Sequence, residues 1–188
     1  MATYRIAVLI GSLRKESLNR KLAEAIYHLA PSNLEFKESV IADLPLYNQD
    51  DDDKQADSVK RLKSEIADAD GILFVTPEYN HSVPGVLKNA IDHASRPRTN
   101  SAWPKKIAGL VGISPNSTGT CMAQQHLRNI LAGLTVDVMA QPDAFFQDKD
   151  FFNEADMPID EKRAFLRRWL ESYAEWVALH ATADKSNS

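Results

Sequence analysis

Hydroxyl, basic and amide side chains crowd one short stretch near the start of the chain: Ser12, Arg14, Lys15, Ser17 and Asn19. Before them runs a continuous apolar stretch, Ile6 to Ile10, closed by Gly11. After them Leu18, Leu22, Ala25, Ile26 and Leu29 recur at helical spacing. A short apolar run ended by a turn residue predicts a strand buried on both faces, and the spacing behind it predicts a helix. Hydroxyls and cations between the two suit one chemistry, which is holding an anion. Such a loop delivers unpaired backbone N–H groups to a helix N-terminus, where the dipole and nearby cations favour a phosphate. Ser17 also fits the N-cap of that helix. The two roles are compatible, because a capping hydroxyl and a phosphate oxygen occupy the same small region.

Two further polar stretches follow strand-like runs. Gly71 to Thr76 is strongly apolar and is cut off by Pro77, after which Glu78, Tyr79, Asn80, His81 and Ser82 gather hydrogen-bonding groups and two flat rings. Lys105 to Ile113 predicts another buried strand, followed by a polar loop from Ser114 to Thr120. If all three loops leave the same ends of a parallel sheet, they converge on one crevice. That crevice suits a planar, polar-edged ligand with a phosphate tail, and FMN is such a ligand.

The elements between the loops support this arrangement. Leu34 to Ile41 predicts an edge strand, Gln55 to Ala69 a helix, and Pro84 is well placed to open another helix through Ala94. A helix is expected over Cys121–Ala132, with Met122, His126, Leu127, Ile130 and Leu131 facing inward, and a short strand over Thr135–Met139. Gln141 to Met157 reads as irregular, and Ile159 to His180 as the clearest amphipathic helix, with Trp169 and Trp176 in its core stripe. The last residues, ATADKSNS, are expected to fray. The acidic run Asp50–Asp53 reads as a solvated loop, Cys121 as a small buried hydrophobe, Trp103 as packing, and His93 and His126 as structural.

Strands and helices therefore alternate throughout. The expected fold is α/β, a flavodoxin-like doubly wound three-layer sandwich on a five-stranded parallel sheet of order 2-1-3-4-5. A length of 188 residues fits a single domain spanning 1–188. A net charge of −4, with no clustered Lys/Arg and aromatics, argues against nucleic acid as partner. No apolar run reaches the roughly 20 residues of a membrane span, and no signal-peptide core is visible, so a cytoplasmic location is expected. One cysteine rules out an internal disulfide framework, and no metal site is expected. The seven glycines never fall as G-x-G, and G-K-[ST], G-x-S-x-G and H-E-x-x-H are missing, which removes dinucleotide-fingerprint, P-loop, hydrolase-elbow and zincin readings.

GSLRKESLN at 11–19 and TPEYNHSVPGVLKNAIDHASRP at 76–97 resemble the paired signatures of the NADPH-dependent FMN reductase family, in its bacterial quinone and chromate reductase branch. DLPLYN at 43–48 and Gln124–Arg128 resemble that branch too. The resemblance implies that Ser12, Arg14, Ser17 and Asn19 hold the FMN phosphate and ribityl chain, with Leu13, Lys15 and Leu18 counted among the contacts. It implies that Pro77, Glu78, Tyr79 and Asn80 line the isoalloxazine and that Ser114 closes the other side, with His81 and Ser82 as substrate-pocket candidates.

It further implies ping-pong hydride transfer from NAD(P)H through FMN to quinones, with chromate, azo compounds or free flavin as other acceptors. No catalytic side chain is needed, because the hydride chemistry belongs to the flavin. A homodimer or homotetramer is implied through the helix after the 76–82 stretch. The competing reading is a flavodoxin-type electron carrier. The chain departs from the family pattern at three places: Thr120 stands where a second glycine is common, and Met122 and Gln125 stand where near members carry Arg and Tyr.

Overall fold

A computed structural model describes residues 2–185. Strand β1 (Tyr4–Ile10) leads into helix α1 (Leu18–Leu29), β2 (Leu34–Glu38), α2 (Asp57–Asp68), β3 (Gly71–Val75) and α3 (Gly85–Ala94). Then come β4 (Ile107–Ser114), α4 (Cys121–Ala132), β5 (Asp137–Val138), β6 (Phe145–Gln147) and α5 (Asp160–Lys185). The strands pair in parallel in the order β2-β1-β3-β4-β5, the flavodoxin-like arrangement expected.

The sheet has one strand more than the five expected. β5 covers only Ile107 and Ala108 of β4, and β6 pairs with Gly112–Ser114 further along the same edge. The outer position is thus filled by two short strands in succession. β6 lies inside the stretch read as irregular, because three residues carry no periodicity and their pairing comes from β4.

All of β3 and β4 is buried, as uninterrupted apolar strands between two helical layers must be. One layer packs α1 and α5 against the sheet, with Leu22, Ile26, Trp169, Tyr173 and Val177 at its centre. The other packs α2, α3 and α4 through Leu62, Ile66, Leu87, Ile91, Leu127 and Leu131. Trp103 is fully buried and donates its indole N–H to Ile91 O at 3.0 Å, a packing role as read. His93 is buried and bonded to Pro45 O at 2.9 Å. Trp169 is fully buried, whereas Trp176 is only partly so. The acidic run forms a 3₁₀ turn, Gln49–Lys54, with no buried residue. α5 runs five residues into the expected frayed tail, to Lys185; the remaining three fall outside the described residues.

Tyr27 stacks obliquely on Phe36 at the α1–β2 corner, and its hydroxyl has no hydrogen-bond partner among the described residues. Burial, with Glu38 adding to it, pushes its pKa from 10.0 up to about 12. The unfolded chain therefore gives up this proton first. The contribution is fully present below pH 10.0 and is lost as pH rises towards about 12. Tyr27→Phe is expected to shrink the alkaline loss of stability in urea melts across that window; an unchanged slope would place the loss elsewhere.

Candidate functional site

The C-terminal ends of β1, β3 and β4 lie side by side, and each opens into one of the polar loops. β1 passes through Gly11, whose N–H donates to Val75 O at 2.9 Å. A Cβ there would sit 3.1 Å from Thr76 Oγ1 and 3.3 Å from Pro77, so the first two loops approach too closely for a larger residue. Asn19, in the first turn of α1, bonds both ways to one residue of β4: its amide donates to Ile113 O (2.9 Å), and its carbonyl accepts from Ile113 N (3.1 Å). Glu78, after β3, accepts from the Ala123 N–H in the first turn of α4 at 3.0 Å. The three loops are thereby tied to one another.

From Ser12 to Asn19, no backbone N–H has a hydrogen-bond partner among the described residues. Ser17 is the N-cap and accepts from Arg20 N at 3.3 Å, and the first turn of α1 holds no acidic residue. Arg20 and Lys21, just beyond, are held by Glu38 and Asp156, each at 2.7 Å. Arg14 and Lys15 are exposed, as is Leu13, while Ser12 and Ser17 are buried. A run of donor amides, a helix N-terminus and two exposed cations is a donor set suited to cradling a phosphate. The Asn19 side chain, by contrast, is committed to Ile113 and serves as a clasp between α1 and β4; its backbone N–H remains available to the cradle.

In the second loop Tyr79 and Ser82 exchange backbone hydrogen bonds of 3.1 and 3.0 Å across a two-residue turn. Asn80 (φ +51°) and His81 (φ +59°) both take the left-handed conformation, the pattern of a type I′ turn. The turn lifts Tyr79 and His81 to the surface above buried Pro77 and Glu78. The amides of Glu78, Asn80 and His81 are unpartnered among the described residues, offering donors to a ring edge rich in acceptors.

The third loop begins at buried Ser114, whose hydroxyl accepts from Asn116 N at 3.2 Å, and is exposed from Pro115 to Thr118. Thr120, in the second glycine's place, is fully buried and accepts from Gln124 Nε2 at 2.9 Å. Gln124 Nε2 also donates to Ala144 O. Thr120 thus anchors the start of α4, and the close approach falls to Gly112, opposite Thr76 and Thr120.

Two inward assignments on α4 are corrected. Its buried face is Ala123, Gln124, Leu127 and Leu131, whereas Met122 and His126 face out. His126 reaches the site from there, with Nδ1 3.0 Å from Ser82 Oγ. Its signal was present in the sequence: with Leu127 and Leu131 fixing the stripe, positions 122, 125 and 126 fall on the other side of the helix. Cys121 is only partly buried. Among the described residues no cluster of metal-ligating side chains occurs, and no helix is long and apolar enough to cross a membrane.

A parallel sheet of this order, with an amide-lined loop at the switch point between β1 and β3, defines a flavodoxin-like mononucleotide-binding protein. Residues 4–150 match the family described as NADPH-dependent FMN reductase. The chain is 44% identical to a 2-hydroxy-1,4-benzoquinone reductase from a Burkholderia species, covering 92% of this chain and 96% of that protein. It is also 44% identical to a quinone reductase of Pseudomonas putida, over 94% and 96%. The solved structure of FerB, a flavoenzyme NAD(P)H:(acceptor) oxidoreductase from Paracoccus denitrificans, superposes with a TM-score of 0.89 at 40% identity, covering 95% of this chain and 99% of that one.

The chain belongs to the NADPH-dependent FMN reductase family. It is an oxidoreductase that uses FMN, with NAD(P)H as co-substrate. The donor set fits that cofactor: unpaired amides and two exposed cations suit a phosphate, and the Glu78, Asn80 and His81 amides suit the polar edge of the ring. When bound, FMN supplies the hydride chemistry.

Proposed function

We propose that this chain is an NAD(P)H:quinone oxidoreductase working by a ping-pong cycle, with chromate, azo compounds and free flavin as further acceptors. The observation that carries the reading is the run of unpartnered amides from Ser12 to Asn19, with a second set at Glu78, Asn80 and His81 on the neighbouring loop. The names of the relatives at 44% identity supply the acceptor class. In this reading the 12–19 amides with Arg14, Lys15 and the Ser12 and Ser17 hydroxyls take the phosphate and ribityl chain. Leu13, Leu18, Pro77, Glu78, Tyr79, Asn80 and Ser114 enclose the rest, and His81 and Ser82 border the acceptor.

The whole chain acts as one FMN-binding domain in the cytoplasm. Leu13, Tyr79 and Met122 are about half exposed, at 52%, 49% and 45%, and lie on the loops and helix that frame the crevice. Apolar groups left bare there suit burial against a second copy, so the functional unit is a homodimer, able to pair into a homotetramer.

The test is the visible spectrum of the protein purified with FMN, reduced by NADPH without air and then given 1,4-benzoquinone. The expected result is a yellow protein that bleaches with NADPH and recolours with the quinone. A protein that stays colourless, or bleaches only with a chemical reductant, overturns the reading.

A further inference from the structure

A carboxylate with one satisfied oxygen and one unsatisfied oxygen lies beneath the second loop. The Glu78 side chain is 1% exposed. Its Oε2 accepts the Ala123 N–H, so the group cannot turn away, while Oε1 has no hydrogen-bond partner among the described residues. A buried carboxylate oxygen without a donor is costly, and the structure offers it one neighbour of opposite sign. That neighbour is His81, whose Nδ1 stands 3.4 Å away, within ion-pair reach.

The ring itself is the opposite of buried: the His81 side chain is 72% exposed. It sits on a left-handed turn position where Asn or Gly would be less strained, fixed by the two Tyr79–Ser82 backbone bonds. Nδ1 of the imidazole therefore stands beside a fixed carboxylate, while most of the ring is open to solvent. The other titratable groups on the elements around it are Tyr79 on the same turn, Arg14, Lys15 and Glu16 on the first loop, and on α4 Cys121, His126 and Arg128, of which His126 is bonded to Ser82 Oγ.

We propose that His81 is the proton donor to the reduced acceptor and that Glu78 is its positioning residue, an inference that rests on the quinone-reductase reading above. Reduction of a quinone by one hydride adds two electrons and one hydrogen and leaves an oxyanion. That oxyanion takes the Nε2 proton of the His81 imidazolium: the Nε2–H bond breaks, an O–H bond forms, and the ring is left as the neutral Nδ1–H imidazole, which takes up a proton from water. Glu78 Oε1 stands within ion-pair reach of Nδ1 and favours a proton on that nitrogen, which leaves the Nε2 proton as the one to be given. Positioned general acids contribute on the order of 100-fold or more.

The test compares two acceptors in the oxidative half-reaction of the FMN-loaded protein. 1,4-Benzoquinone needs a proton, whereas ferricyanide takes one electron and none. In His81→Gln the benzoquinone-to-ferricyanide rate ratio is expected to fall by about 10-fold or more, with partial recovery on adding imidazole. Glu78→Gln is expected to lower the same ratio less. A separate measurement needs no turnover: nitrogen NMR of the histidine rings in the FMN-free chain should show His81 holding hydrogen on Nδ1, a preference lost in Glu78→Gln. A ratio unchanged in His81→Gln, or a wild-type ring without that preference, overturns the inference. A wild-type protein that reduces neither acceptor overturns the quinone-reductase reading instead.

Discussion

Gly112→Ala is expected to yield little folded protein, and what folds should bind FMN poorly. Gly112 lies in β4 where the second and third loops meet. A Cβ there would press into the Thr76 carbonyl oxygen and lie 2.5 Å from Thr120 Oγ1. Neither neighbour can yield cheaply. Thr76 is fully buried at the end of β3 and donates its hydroxyl to Pro77 O at 2.9 Å. Thr120 is fully buried and holds Gln124.

Gly112 also donates its own N–H to Ala144 O, so β4 cannot slide outwards without losing its contact with the chain leading to β6. Forcing atoms into a close-packed junction of backbone costs more than about 3 kcal/mol, a large part of a typical domain's stability. Urea unfolding and FMN fluorescence quenching are the two measurements. A variant with wild-type midpoint and affinity would mean that the β3–β4–α4 junction is far looser than described.

The same junction explains what could and could not be read from the sequence. The strand cores, the order of elements and the three loop positions were legible because each rests on local pattern: Ile6–Ile10 and Gly71–Val75 are continuous apolar runs, and Pro77 and Gly11 mark their ends. What local pattern could not show depended on distant partners. Asn19 is of a type that suits a phosphate, yet its side chain is claimed by Ile113, 94 residues away. Gln124 is polar and still buried, because Thr120 and Ala144 accept its amide hydrogens. Its burial helps turn α4 so that Met122, the more apolar residue, faces out. β6 exists because β5 leaves the far end of β4 unpaired, which no three-residue window can reveal. The anchoring of Glu78 is hidden from local pattern for the same reason: the Ala123 N–H it accepts comes from another element.

Arg14→Glu is expected to raise the Kd for FMN by roughly 100-fold while changing riboflavin affinity by less than about threefold. The asymmetry follows from what the first loop can offer. Its unpartnered amides serve any anion, and they survive the substitution because they belong to the backbone. Arg14 is exposed on that loop, and the next two cations along the chain beyond Lys15 are engaged by Glu38 and Asp156. Reversing its charge therefore removes one of two available cations and sets a carboxylate beside a phosphate, with only Lys15 left to oppose it.

Losing a charge-assisted hydrogen bond accounts for about 1.5–3 kcal/mol, so two orders of magnitude in affinity is the right scale. Riboflavin has the same ring and ribityl chain but no phosphate, so it lacks the group that Arg14 is expected to meet. Raising the salt concentration should weaken FMN binding more in the wild-type protein than in the variant, because screening acts on the attraction the variant has lost. If FMN and riboflavin weaken by the same factor, Arg14 shapes the loop rather than meeting the phosphate, and the cradle would have to work through its amides and Lys15 alone.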